Sequence, residues 1–99
     1  MTIRFSVFYP SSEGSTFDHD YYRDSHVPLA CKTWGLDSAV IDKGVDGPYV
    51  AAVHFEFDSL EAMGAALAAE GTGEVMADVA NYTNITPVMQ ISEVVDGGG

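Results

Sequence analysis

Basic residues are almost missing from this chain. Four lysines and arginines stand against fifteen acids, for a net charge of −11 over 99 residues. A surface so acidic repels phosphate backbones and anionic lipid, so neither nucleic acid nor a membrane is an expected partner. The plain account of the acidity is solubility, which needs no functional use of the charge. Cys31 is the lone cysteine, and no internal disulfide can form. No apolar run approaches the ~20 residues that a bilayer requires. The chain begins directly with an alternating strand, with no charged segment leading into an apolar one, and the cytoplasm is the expected compartment. Also missing are a phosphate-cradling glycine loop, a dinucleotide fingerprint and a nucleophile elbow, and no cofactor is expected.

Ninety-nine residues suffice for one domain, 1–99, with 95–99 read as a flexible tail. Residues 2–9 alternate, with Ile3, Phe5, Val7 and Tyr9 on one face and Thr2, Arg4, Ser6 and Phe8 on the other. Pro10 ends that strand and 11–15 is a loop. Ser15 and Asp18 form a capping-box pattern for a helix that runs to about Trp34, with Phe17, Tyr21, Ser25 and Leu29 inward. Pro28 cannot bond to the Asp24 carbonyl, which predicts a kink or wide turn near His26. Gly35 and Leu36 read as the C-cap and its apolar contact. Residues 37–45 read as an edge strand and 49–57 as the clearest strand. Asp58, with Glu61, caps a second helix over 59–70, which carries Leu60, Met63 and Leu67 at core spacing. Gly71 and Gly73 break it, 74–82 resumes as a short helix, and 85–95 is the last strand. The order is β-α-β-β-α-β, an α+β ferredoxin-like pattern: a four-stranded antiparallel sheet with both helices on one face. The other face, with Phe8, Val50 and Ala52, then needs a cover, and a second copy supplies it.

The chemistry concentrates in 17–29, FDHDYYRDSHVPL. Tyr22 and His26 are four residues apart and stack on a helix. His26 is the candidate acid or base, because an imidazole titrates near neutrality. Its structural account is a core-boundary histidine bonded to a carbonyl loosened by Pro28. Tyr22 is a candidate to orient His26 or to donate to a ligand oxygen, against the commoner role of an amphipathic filler. Tyr21 reads as core, and Tyr9 closes one end of a pocket.

The pattern Tyr9-Pro10, a loop, then Phe17, Tyr21-Tyr22, His26, Pro28-Leu29 and Gly35-Leu36 resembles the EthD-like family (ethyl tert-butyl ether degradation protein EthD). The resemblance implies a dimeric α+β barrel, a homodimer through the open sheet face, with a role in breakdown of ethers, aromatics or polyketides. It also implies that His26 stands where such proteins carry their histidine. The expected function is cofactor-independent acid/base chemistry, an isomerase, dehydratase or oxidoreductase-type step, on an apolar cyclic or aromatic ligand. The alternative is a non-catalytic carrier that assists a neighbouring oxygenase.

Ligand contacts are expected from Tyr9, Phe17, Leu29, Met63 and Met76, the methionines because they adapt to varied shapes. His54 is a minor candidate. Its parity opposes that of Phe55 and Phe57, which places it on the dimer side with Arg4 and Glu56. Asp18, His19, Asp20 and His26 do not make a metal site, because Asp18 and Asp20 point about 200° apart on a helix. No metal is expected. Cys31 reads as a small buried hydrophobe.

Overall fold

A computed structural model describes residues 2–96. Its elements are β1 (Thr2–Pro10), α1 (His19–Tyr21), a π-helical turn (Tyr22–His26), α2 (Val27–Trp34), β2 (Val40–Lys43), β3 (Tyr49–Phe57), α3 (Leu60–Leu67), α4 (Thr72–Ala77), a 3-10 turn (Asp78–Asn81) and β4 (Val88–Val94). The strands form one antiparallel sheet in the order β2-β3-β1-β4, the α+β ferredoxin-like arrangement expected. Residues 97–99 of the expected tail lie outside the described residues. Among the described residues no helix is long and apolar enough to cross a membrane.

Strand register sorts the side chains as the alternation predicts. Ile3 pairs with Phe57, Phe5 with Phe55, Val7 with Val53 and Tyr9 with Ala51. All eight are buried beneath the helices and make up the centre of the core. On the far face Arg4 pairs with Glu56, Ser6 with His54 and Phe8 with Ala52. That face is less bare than its sequence suggests. Ser6 and Ala52 are buried and Phe8 and Val50 are half-buried, while Val40 and Val88 at its margins are exposed.

The first helical region departs from the expected phase. Asp18, not Ser15, is its cap: Asp18 Oδ1 accepts from the Tyr21 amide at 3.0 Å. The wide turn expected near His26 is a π turn, closed by the Val27 amide on the Tyr22 carbonyl. Pro28 then sits in the first turn of α2, directly behind the π turn. Tyr22, His26 and Ala30 are the residues that face inward. Ser25 is exposed, and Tyr21 and Leu29 are only half-buried, so the expected inward row of Tyr21, Ser25 and Leu29 is not the buried one. Gly35 ends α2 at φ 69°, as a C-cap that lets the Leu36 amide bond to the Cys31 carbonyl at 2.8 Å.

Other boundaries shift for local reasons. Ser59, with extended backbone, caps α3 by accepting from the Ala62 amide at 3.0 Å, and Asp58 does not cap it. α3 ends at Leu67. Gly71 precedes α4, where a Cβ would stand 2.9 Å from the Thr33 side chain, so the close approach of α2 and α4 needs glycine there. Gly73 lies inside α4 and breaks nothing. Trp34 Nε1 donates to Thr72 Oγ1 at 2.9 Å and ties the two helices together. β4 starts at Val88, not at Ile85, because Pro87 has no amide to give the ladder.

The Ser59 cap makes a direct prediction for chemical denaturation. Ser59→Ala should lose about 1 kcal/mol of unfolding free energy. The exposed Asp58→Ala should stay within ~0.5 kcal/mol of wild type. Equal losses would return the cap to Asp58.

Candidate functional site

Between the helix-side face of the sheet and its helices lies a cavity of about 270 Å³. β1 supplies Phe5, Val7 and Tyr9, and β3 supplies Val53 and Phe55. The π turn gives Tyr22 and His26, and α2 gives Ala30 and Trp34. Leu67, Thr72, Val75, Met76 and Val79 close the far wall, with Pro87 and Met89 beside them. Such a hollow, apolar with a few polar groups, is the usual form of a small-molecule site.

His26 is the centre of its polar chemistry. The residue is 6% exposed, and its Nδ1 lies 2.9 Å from Asp78 Oδ2. Asp78 begins the 3-10 turn after α4, and its other oxygen accepts from Tyr21 Oη at 2.7 Å and Asn81 Nδ2 at 2.9 Å. Burial by itself would raise the Asp78 carboxyl, but the bonds from Asn81, Tyr21 and His26 prevail and hold it below its ordinary range. An ionised Asp78 can only accept, so the proton of neutral His26 sits on Nδ1. Nε2 is left as an unpaired acceptor on a residue of the cavity wall. Burial lowers the His26 pKa, and the hydrogen bond and charge of Asp78 offset only part of that.

Around this pair stands a cluster of rings. Tyr22 stacks on His26 with centroids 5.4 Å apart and planes 17° from parallel. It does not orient the imidazole through a hydrogen bond. Asp78 does that, from a site 52 residues away in the chain. Tyr82 packs on His26 at 4.5 Å and bonds through its hydroxyl to Tyr9 Oη at 2.6 Å. Burial is the main cause that raises the phenol pKa of Tyr9, Tyr22 and Tyr82, so all three stay protonated.

The expected ligand contacts divide. Tyr9 and Met76 line the cavity. Phe17 does not: it packs edge-on behind Tyr9 at 5.0 Å and pairs through its backbone with Thr83. Leu29 and the buried Met63 also lie off the cavity wall, as parts of the packed core. His54 is on the far face, as its parity requires. Its Nδ1 is 2.7 Å from Ser6 Oγ and its Nε2 is 2.9 Å from Asp42 Oδ2. The order Ser-His-Asp looks like a hydrolase relay. Ser6 is 3% exposed, however, in a central strand whose amides are engaged by β3 and β4, so neither access nor an oxyanion hole exists. The network instead pins β2 to β3 and β1.

Asp78 and Tyr82 are the site residues that sequence reasoning missed. The signal for Asp78 was faint: one acid among Val75, Met76, Ala77 and Val79 in a segment read as apolar helix. Asp18, His19 and Asp20 stay apart from His26. Among the described residues no group of three His, Cys, Asp or Glu side chains could hold a metal ion. Cys31 is buried, and burial raises its thiol pKa.

The pH dependence follows from the direction of these shifts. Folded His26 protonates below its ordinary value of 6.5, so in that window the unfolded chain binds a proton that the folded chain refuses. Stability from this group is whole above pH 6.5 and is lost as pH falls through that value toward the folded pKa. Asp78 adds a loss of the same sign below its ordinary 3.8. The midpoint of thermal unfolding should therefore drop between pH 7 and pH 5. Asp78→Asn removes the offsetting charge, so ¹⁵N NMR should show His26 titrating at still lower pH and no longer held in the Nδ1–H form.

No protein-family model matches the chain, and no curated protein is significantly similar to it. Solved structures are similar. An EthD-like protein from Ralstonia eutropha JMP134 is 40% identical over 97% of this chain and 94% of its own, with a TM-score of 0.89. An EthD family protein from Bacillus halodurans C-125 is 19% identical over 94% of this chain and 98% of its own, at a TM-score of 0.74. A dimeric protein of unknown function with a ferredoxin-like fold, from Bacteroides fragilis NCTC 9343, is 10% identical over 93% of this chain and 95% of its own, at 0.62. The last two speak for the fold alone. The first, alike in sequence over nearly the whole of both chains, joins the spacing of Tyr9, Phe17, Tyr22 and His26 to the fold it was read to imply, and the chain belongs to the EthD-like family.

Proposed function

We propose that the cavity binds an apolar cyclic organic molecule and that His26 moves a proton at the ligand atom seated against Nε2. The observation that carries this reading is a buried His26–Asp78 pair whose imidazole is one of the few polar groups among the residues that line a mostly apolar cavity. A neutral imidazole with a lowered pKa is ready to accept a proton near pH 7. Once it has done so, Asp78 stands 2.9 Å from the new cation and stabilises it. The proton can return to a different atom of the same molecule. This is an isomerisation, or an elimination when a neighbouring oxygen leaves with it. Neither needs an external oxidant. The family and the ring-sized cavity support a place in the catabolism of ether-derived or aromatic compounds.

The protein would work as a homodimer that pairs through the far face of the sheet. Val40 and Val88 are exposed on that face beside half-buried Phe8 and Val50. A solved relative of the same fold is described as dimeric. Apolar surface on a sheet this small is the usual seat of a two-fold interface. A carrier that holds a reactive guest would use the same cavity and the same dimer.

Two experiments test these statements. A bicyclic ketone, 2-tetralone, carries acidic C–H bonds beside its carbonyl. Its hydrogen–deuterium exchange in D₂O, followed by NMR, should be accelerated by the wild-type protein. His26→Ala should lose that acceleration by a factor on the order of 10². Binding of 2-tetralone without faster exchange would remove the catalytic reading and leave the carrier. Separately, Val88→Lys or Phe8→Lys should convert a dimer into a monomer in light scattering. A wild-type monomer would sink the interface.

A further inference from the structure

Asp78 divides its two oxygens unequally. Oδ2 serves His26 Nδ1 alone, at 2.9 Å. Oδ1 takes two donors, Tyr21 Oη at 2.7 Å and Asn81 Nδ2 at 2.9 Å. Those donors are not equivalent. Asn81 belongs to the same 3-10 turn as Asp78, so its bond travels with the carboxylate wherever that turn goes. Tyr21 comes from α1, 57 residues away, and directly precedes the π turn that carries His26. Its hydroxyl therefore ties the carboxylate to the segment that bears the imidazole. The ring of Tyr21 has a seat of its own. It lies 23° from parallel to Tyr82, with centroids 6.3 Å apart, and Tyr82 packs on His26 at 4.5 Å. The bond to ionised Asp78 raises the Tyr21 phenol pKa, so the hydroxyl keeps its proton and remains a donor.

We propose that Tyr21 is a positioning residue for His26: its hydroxyl holds Asp78 in the orientation that keeps the imidazole proton on Nδ1 and leaves Nε2 as the base. The proposal deepens the reading of His26 as the proton acceptor and rests on it. Tyr21 does not line the cavity, so it acts through Asp78 and not on the guest. The torsion that turns an aspartate carboxylate is broad and soft, and a donor from the same turn does little to fix it against another element. Orientation matters because a neutral imidazole has one proton for two nitrogens. The hydrogen bond at one nitrogen decides where that proton stays. Once Asp78 swings away, the proton is free to move to Nε2, which can then donate but no longer accept. In hydrolase triads a carboxylate secures the tautomer of its imidazole, and here a phenol secures the carboxylate.

Nitrogen-15 NMR at about pH 8, where His26 is neutral, reads the tautomer directly. Wild type should show Nδ1–H as the main form. Tyr21→Phe keeps the ring and its packing on Tyr82, and should raise the Nε2–H share severalfold. Asn81→Ala removes a donor from the same oxygen without cutting the tie to α1, and should leave the tautomer as in wild type. In 2-tetralone exchange, Tyr21→Phe should lower kcat about tenfold with KM within ~2-fold, because the lost bond touches no substrate. Equal tautomer shifts in the two variants would overturn the proposal, since the charge of Asp78 and not its orientation would then govern His26. A Tyr21→Phe spectrum like that of wild type would overturn it as well. Wild type supplies a check that needs no variant to fold. The Tyr21 hydroxyl proton should exchange slowly enough to be seen in the proton spectrum, and its absence would remove the tie. A wild type inactive on 2-tetralone would end the catalytic reading, while the tautomer shift would still decide the role of Tyr21.

Discussion

Pro28 has no amide hydrogen, and its ring leaves no room for the Asp24 carbonyl where an α-helix would put it. The turn ahead of it widens, so the Val27 amide reaches five residues back to Tyr22. That single adjustment sets the phase of everything that follows. Tyr22 and His26, at the two ends of the turn, both lie under the sheet, while Tyr21, Ser25 and Leu29 do not form the buried row. The backbone stays helical through the turn and into α2, so the missing amide of Pro28 falls directly behind the widened turn. π turns inside helices are often found at functional sites, and this one carries Tyr22 and His26, both lining residues of the cavity.

What the turn delivers would be costly without a partner. An imidazole that is 6% exposed and an ionised carboxylate beside it both lose hydration. The balance is met by geometry. Asp78 takes three donors, from Tyr21, Asn81 and His26. A carboxylate that accepts several short bonds stays ionised in spite of burial. Tyr21, half-buried at the core boundary, is one of those donors. The apolar cavity then sits against a fixed, oriented base, with neighbouring rings to hold it in place.

The sheet separates two imidazoles that the sequence places 28 residues apart. His26 lies among the helices. His54 belongs to the far face, where Ser6 and Asp42 hold both its nitrogens and Phe8 packs against its ring at 5.9 Å. A strand allows no compromise between faces, because a slip of one residue would exchange Phe55 with its polar neighbours throughout the core. The two networks therefore serve different ends. One borders the cavity, and the other ties β2 into the sheet on the face proposed to meet a second copy.

Much of this was legible in the order of the residues. Period-two alternation around Phe5 and Phe55, the breakers Pro10 and Gly35, and the missing amide of Pro28 are local properties, and the strands, the C-cap and the wide turn came from them. The tyrosine–histidine spacing marked the site. Tertiary structure decided the rest. Ser59 displaced Asp58 as a cap because two neighbouring oxygens compete and only backbone geometry chooses between them. Phe17, Leu29 and Met63 fell off the cavity wall because an apolar residue does not announce whether it faces solid protein or a void. Asp78 reaches His26 across 52 residues, a distance over which no periodicity survives. Short-range order is written in propensities that each residue carries alone, whereas a partner across the fold exists only after the chain has closed on itself.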